Sequence, residues 1–377
     1  MKKIIPVLLP VMVLLIFSCH QKSQKPIWKG KLEEENGIKV VHNPSEPAFG
    51  SLALELEEEL SIGSEENEHT LFSQIFSLAV DEAGNIYISD MQAPAIKVFD
   101  PGGRYLRTIG GSGQGPGEYQ SPRTIFLTLD QQTLYVRDFI FKLLSYRPDG
   151  TYLGETNLRS YCSDFFVDGQ GYIWGILSVA DEKGRSNALE KVAPDGRIVL
   201  QMARVPNEMY IRTDGTMTSS VTTGFEYDLS AVLLDEKTVV YGYSREHRLT
   251  MIDTDGHPLL IIKNREPARS IPEEDIKEAA QYISHSEQPY FYRLFTDDLG
   301  RIWVLRDNPL GARGRPREYD IYNRNGYFLY RTRLPYGRCL VIRKGRLYAR
   351  HIDEEQGLVM VKRLRIKNWD LIKSTLD

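Results

Sequence analysis

Four arginines, Arg123, Arg159, Arg293 and Arg338, stand at or just ahead of apolar stretches that are far apart in the sequence. Guanidinium groups bind planar anions through paired hydrogen bonds, and four of them converging on one point would repel unless acids or a bound anion offset the charge. Asp164 and Glu287 are acids placed to pair with them locally, and Glu226 occupies a comparable position. His69, Tyr161 and Tyr227 fall in the same class of position. Tyr290 and Tyr292 bracket Phe291, and strand alternation puts the two tyrosines on one face, where they could stack on a sugar ring or pack between sheets. The chemistry these residues suggest is recognition of a carboxylate, a phosphate or an acidic sugar.

Other chemistries fit the sequence less well. The run Gly110 to Gly117 has the glycine density of a phosphate cradle, but no Lys-Ser/Thr follows it and Pro116 lacks an amide donor, so it reads as a linking turn. Asp253-Thr254-Asp255-Gly256 opens like a calcium loop, yet the distal Glu is missing, and a hairpin is the better reading. The seven histidines are scattered, without a His-x-x-x-His pair or a Cys cluster, and there is no Gly-x-Ser-x-Gly elbow. No metal or cofactor is expected.

The elements that must position these side chains come from a repeat. Six segments share an aliphatic residue followed by Tyr, Trp or Val: Ile86-Tyr87, Leu134-Tyr135, Ile173-Trp174, Val239-Val240, Ile302-Trp303 and Leu347-Tyr348. Their second members are 48, 39, 66, 63 and 45 residues apart, a period of four short strands stretched twice by insertions. That is the pattern of a six-bladed β-propeller, in which the arginines would rim the mouth of a central channel. Asp149-Gly150, Asp195-Gly196, Asp255-Gly256 and Asn325-Gly326 mark outer hairpins.

The sixth repeat lacks its last strand, and Leu52 to Ile62, with alternating leucines, is expected to close the ring there. Gln201 to Ser220 reads as a loop. Ser270-Ile271-Pro272-Glu273 reads as a capping box opening a short amphipathic helix over 271–283, which either packs on the end of the propeller or covers its mouth. The expected organisation is a signal peptide over 1–18, a tether and N-terminal segment over 19–49, the propeller over 50–366 and a tail over 367–377.

Lys2 and Lys3 followed by the apolar run Ile4 to Phe17 form a secretory signal too short to span a bilayer as an ordinary helix, and Ile16-Phe17-Ser18-Cys19 resembles a bacterial lipobox with Cys19 as the lipidated residue. Removing residues 1–18 takes away those two lysines and moves the formal charge from -4 to -6, which argues against nucleic acid as a partner. Cys162 and Cys339 fall in blades three and six, on opposite sides of a ring and well beyond the roughly 7 Å reach of a disulfide, so both are expected to be free, buried thiols.

The chain resembles the six-bladed β-propeller lipoproteins of Bacteroidota, which are similar to NHL-repeat propellers. The resemblance spans about residues 50 to 366, and its most specific part is Gly113-Gln114-Gly115-Pro116-Gly117-Glu118-Tyr119 with Pro122, similar to the link between successive NHL blades. It implies an all-β fold and a location in the cell envelope, anchored by lipid and facing the periplasm or outer membrane. Little activity comes with it. The expectation is a non-catalytic binding or scaffolding module presenting its channel mouth to an envelope protein, a peptide or a glycan; the alternative is a propeller enzyme, metal-dependent and lactonase-like or lyase-like, or glycan-processing, for which the chain offers Glu226 and Asp164 but too few recognisable companions.

Overall fold

The computed structural model describes residues 28–373 and 376, except 140, 183, 209, 215–216, 222, 280–281, 307, 309–314 and 338–339. Six antiparallel sheets are arranged as blades around a central channel. Their innermost strands are Ile75–Val80, Pro122–Leu127, Cys162–Val167, Leu229–Asp235, Arg293–Thr296 and Leu340–Arg343. Each of the six repeated dipeptides lies in the second strand of its blade.

Period-two alternation turns each dipeptide into the joint between blades. The aliphatic member packs into the cluster shared with the preceding blade, and the second member packs into the cluster shared with the following one. Ile86 thus meets blade six while Tyr87 meets blade two. Leu134 faces blade one and Tyr135 blade three. The rule continues through Ile173 and Trp174, Val239 and Val240, and Ile302 and Trp303, and Leu347 and Tyr348 then close the circle back to blade one. Six interblade clusters therefore form the core.

The aromatic member has a polar tip that needs a partner when buried. An Asp six residues earlier, at the turn into the second strand, provides it. Trp174 Nε1 donates to Asp168 Oδ2 at 3.0 Å, Trp303 Nε1 to Asp297 Oδ2 at 2.8 Å, and Tyr87 Oη to Asp81 Oδ2 at 3.2 Å. The same Asp also accepts a backbone N–H four residues on, as Asp297 does from Arg301 at 3.0 Å. One carboxylate therefore shapes the turn and fixes the ring that joins two blades.

Ring closure follows the expectation: Leu56–Ile62 pairs antiparallel with Leu358–Ile366 as the fourth strand of blade six. Ser51–Leu52 instead pairs parallel with Arg331–Thr332 at the edge of blade five. Further upstream, a hairpin of Lys31–Glu35 and Ile38–Asn43 adds two strands to blade four, with Lys39–Asn43 parallel to Leu260–Asn264. The segment before the closing strand thus wraps the outer rim of blades four and five. Asn43, fully buried, clips it down by donating to the Gly326 carbonyl at 2.8 Å and accepting from Phe328 N at 2.8 Å and Trp28 Nε1 at 3.1 Å.

Two local expectations are corrected. The stretch 201–220 is not a loop: the strand Ile198–Pro206 extends blade three, and Tyr210–Asp214 pairs with Met217–Val221 as a separate hairpin. Its Thr, Ile and Val residues favour strands, and the Asp214-Gly215 dipeptide favours a turn. The helix runs over Glu273–Ala279, and Ser270 does not cap it. Ser270 bridges Glu287, while Ile271 N donates to the Ser286 carbonyl at 2.9 Å, so the flanks pair and pull Ser270 away from the helix. Ile271, Ile276 and Ile283 pack on Phe225, the lead-in to the inner strand of blade four.

Candidate functional site at the channel mouth

The channel encloses a cavity of about 220 Å³. Its walls are largely aromatic and aliphatic: Phe76, Phe126, Phe166 and Phe295 come from four blades, with Val232 and Leu340 between them. Such residues arise where the inner strands turn one face to the axis, and Phe76 is 36% exposed there. The polar groups lie to one side. Arg293 of blade five reaches Asp164 of blade three, Nη2 to Oδ2 at 3.2 Å, bridging two blades that are not neighbours.

Arg123 does not itself line the cavity but approaches Phe76, which does. Its guanidinium lies 5.9 Å from the centre of the Phe76 ring, its Nε is buried without a hydrogen-bond partner, and it forms no ion pair among the described residues. Arg137, which the sequence reading did not single out, lies equally close to Phe76 and to Tyr161, at 5.9 Å from each ring. It is 1% exposed, and its Nε has no hydrogen-bond partner. Among the described residues its hydrogen bonds are long: Nη1 to the Phe139 carbonyl at 3.3 Å and Nη2 to Thr124 Oγ1 at 3.5 Å. Burial pushes its pKa below the usual guanidinium value; Asp164 acts against that push, and Arg123 adds to it. Its sequence signal is the inner-facing parity of a second strand, which the starts of the first strands do not carry.

A second arginine cluster, beside blade five, shows what a self-sufficient arrangement looks like. Arg306, 1% exposed, pairs with Glu266 at 2.7 Å, Asp320 at 3.3 Å and Glu318 at 3.4 Å. Arg331 pairs with Glu266 and Asp320 at 2.7 Å each. Three arginines there, with exposed Arg333 on Glu318 at 3.4 Å, share three carboxylates, whereas at the channel mouth the one ion pair among the described residues is Arg293 with Asp164.

The remaining expected residues are dispersed. Arg159 is exposed, and its charge acts on Glu190 of blade three. Glu226 is used by its own loop, accepting from Thr223 N at 2.6 Å, Thr223 Oγ1 at 3.0 Å and Gly224 N at 2.9 Å. Tyr290 stacks on His247 at 4.7 Å and packs at the joint of blades four and five, whereas Tyr292 packs at the joint of blades five and six. The shared tyrosine face therefore does not form, because the two rings enter different joints, Tyr290 together with buried Phe291 in one and Tyr292 in the other. Tyr227 stacks on His285 at 4.0 Å, and His69 on Tyr105 at 3.9 Å. Arg338, Cys339 and Cys19 lie outside the described residues. Cys162 is a free, buried thiol, and burial pushes its pKa up to about 12.

The two motif-like segments are closed on themselves. In the glycine-rich link, Gly115 N donates to Glu118 Oε2 at 2.8 Å, so the loop's own carboxylate takes the place an anion would need. Asp253 accepts from Asp255 N at 3.0 Å and His257 N at 2.8 Å, which makes a hairpin turn. Among the described residues, two groups have metal-ligand types close together: Asp253, Asp255 and His257 at that turn, and Glu33, Glu35 and His42 on the outer hairpin. Both are on outer strands, away from the channel.

The architecture is shared with solved structures of low sequence identity. One is a protein of Bacteroides fragilis named as exported, with a TM-score of 0.53 and 14% identity over 87% of this chain and 99% of that one. Another is a member of the DUF4221 family from Bacteroides vulgatus, with a TM-score of 0.50 and 13% identity over 83% of this chain and 98% of that one. No curated protein matches the chain. The family model described as Domain of unknown function (DUF4934) matches residues 65–302, from the entry to blade one as far as the second strand of blade five, and the chain belongs to that family.

Proposed function

We propose that this chain is an envelope lipoprotein that binds a ligand at the mouth of its channel without transforming it. The observation that carries the reading is the imbalance just described: Arg123 and Arg137, each with a buried Nε that has no hydrogen-bond partner, stand beside an apolar cavity where Asp164 is the one ion-paired carboxylate among the described residues. A propeller gains nothing in stability from gathering like charges, and sites of this kind are retained for what they bind. An envelope protein, a peptide or a glycan carrying an acidic group fits the mouth. The basic and apolar leader with Cys19 supports export and lipid anchoring, and the similarity in fold to a Bacteroides protein named as exported supports export alone.

A thermal-shift screen of residues 24–377 against organic acids, oligosaccharides, peptides and divalent ions tests the proposal. A ligand at 100 times its Kd adds about 2.7 kcal/mol to folding, enough for a clear rise in Tm. The expected result is a hit among acidic compounds that is lost in Arg123→Ala. Hits confined to divalent ions would favour the enzyme alternative instead.

A further inference from the structure

The channel beneath the arginines has a shape and a chemistry that narrow the ligand, given the reading of the mouth as a binding site. We infer that the site takes an amphipathic monocarboxylate, a medium-length acyl or aryl acid, with its carboxylate between Arg123 and Arg293 and its apolar body among Phe76, Phe126, Phe166 and Phe295.

Three independent observations lead there. The first is the charge count. Asp164 already takes Arg293 Nη2, while Arg123 has a buried Nε without a hydrogen-bond partner. The second is Arg137. A guanidinium that is 1% exposed, with an unpartnered Nε and only the more distant charge of Asp164 to offset it, is a costly group to bury. It lies behind Phe76 and against Thr124, and Thr124 lines the cavity. Its charge therefore acts on the cavity through a medium of low dielectric, where an anion gains more than it would in water. The third is the cavity itself. Bare phosphate or a compact acidic sugar would leave exposed Phe76 and the open parts of Phe126 and Phe295 facing water, whereas an apolar body removes them from it.

Size sets the scale of the ligand. A cavity of about 150 Å³ accepts benzene, so about 220 Å³ takes a body on the order of nine non-hydrogen atoms. Octanoate and phenylacetate are of that size. Phe76 has a double part: its face lies near two guanidiniums at 5.9 Å each, and its exposed side forms the wall of the apolar cavity. It thus marks the boundary between the charged mouth and the apolar interior.

Calorimetric titration of the full mature chain with octanoate, octanol and inorganic phosphate tests the assignment. Octanoate is expected to bind at least tenfold more tightly than either of the others, because each of them supplies half of the required chemistry. Arg123→Gln and Arg293→Gln should each weaken octanoate by about tenfold and leave octanol unchanged, which also shows that the variants are folded. Phe76→Trp, which fills the channel, should abolish both. Equal affinity for octanoate and octanol, both lost in Phe76→Trp, would overturn the carboxylate assignment while keeping the channel as the site. Phosphate binding as tightly as octanoate would show a plain anion site and overturn the apolar half. Octanoate binding that survives Phe76→Trp would place the ligand elsewhere and overturn the reading of the mouth as well. Absence of octanoate binding, beside an acidic hit in the wider screen that Arg123→Ala removes, would overturn this inference alone.

Discussion

At the scale of single residues, the structure distinguishes side chains that hold the ring together from those left over for binding. Asp297 belongs to the first kind. Its side chain is fully buried against Arg301, with Oδ2 bound by Arg301 Nε at 2.6 Å and Trp303 Nε1 at 2.8 Å. Removing one partner of such a pair strands a buried charge, so Asp297→Ala should cost about 3–5 kcal/mol. Trp303→Phe removes one hydrogen bond and some contact area and should cost about 1–3 kcal/mol. Urea denaturation of the two variants would rank them, and the reverse order would remove the Asp as the keystone of the blade joint. His247 makes a second prediction. Burial first, and then the charge of Arg306, push its pKa from 6.5 down to about 4. The unfolded chain therefore binds the proton more readily, and stability falls as pH drops from about 6.5 to about 4, by on the order of 3 kcal/mol. His247→Gln, which cannot take up that proton, should flatten this part of the pH–stability curve. An unchanged slope would mean that other groups carry the acid sensitivity.

The element scale shows why some features were readable and others were not. The six dipeptides, the Asp-Gly turns and the closing strand all carry local signals, alternation and turn chemistry, that tertiary packing reinforces. The outer hairpin was missed although Asn36-Gly37, with φ of 53° and 80°, is a strong hairpin signal. Lys31–Glu35 has one apolar residue, Leu32, and alternation is invisible in so polar an edge strand. Its partner is well anchored, with Val40, Val41 and Asn43 fully buried. Asn43→Ala should therefore cost about 1–3 kcal/mol, because the Gly326 carbonyl and the Phe328 amide lose their partner. A chain starting at residue 46 should still fold but associate through the newly exposed edge of blade four, whereas one starting at residue 64 lacks the fourth strand of blade six and should lose cooperative unfolding. Light scattering and thermal melts separate the two. A monodisperse chain from residue 46 with unchanged Tm would show that the hairpin is dispensable.

At the scale of the whole molecule, the site is less legible than the fold because a channel is lined by residues that are distant in sequence. The sequence placed Arg123 and Arg293 near the mouth, but it also placed Arg159, Glu226, Tyr290 and Tyr292 there. Loop paths and ring orientation, which no local pattern encodes, send those to other surfaces. Arg137 was invisible for a related reason: only the convergence of blades one, two and three shows that a second-strand arginine approaches Phe76 and Tyr161. What the ring supplies is a rigid set of inner strands on which an apolar cavity and an excess of positive charge meet.

The central claim, that ligand binds in this channel with its acidic group at the arginines, is tested most directly by a crystal structure of the protein with the acid that gives the largest thermal shift. The account predicts density among Phe76, Phe126, Phe166 and Phe295, with the acid oxygens within about 3 Å of Arg123 or Arg293. Density for the acid on an outer blade surface, with the channel unaltered, would contradict it.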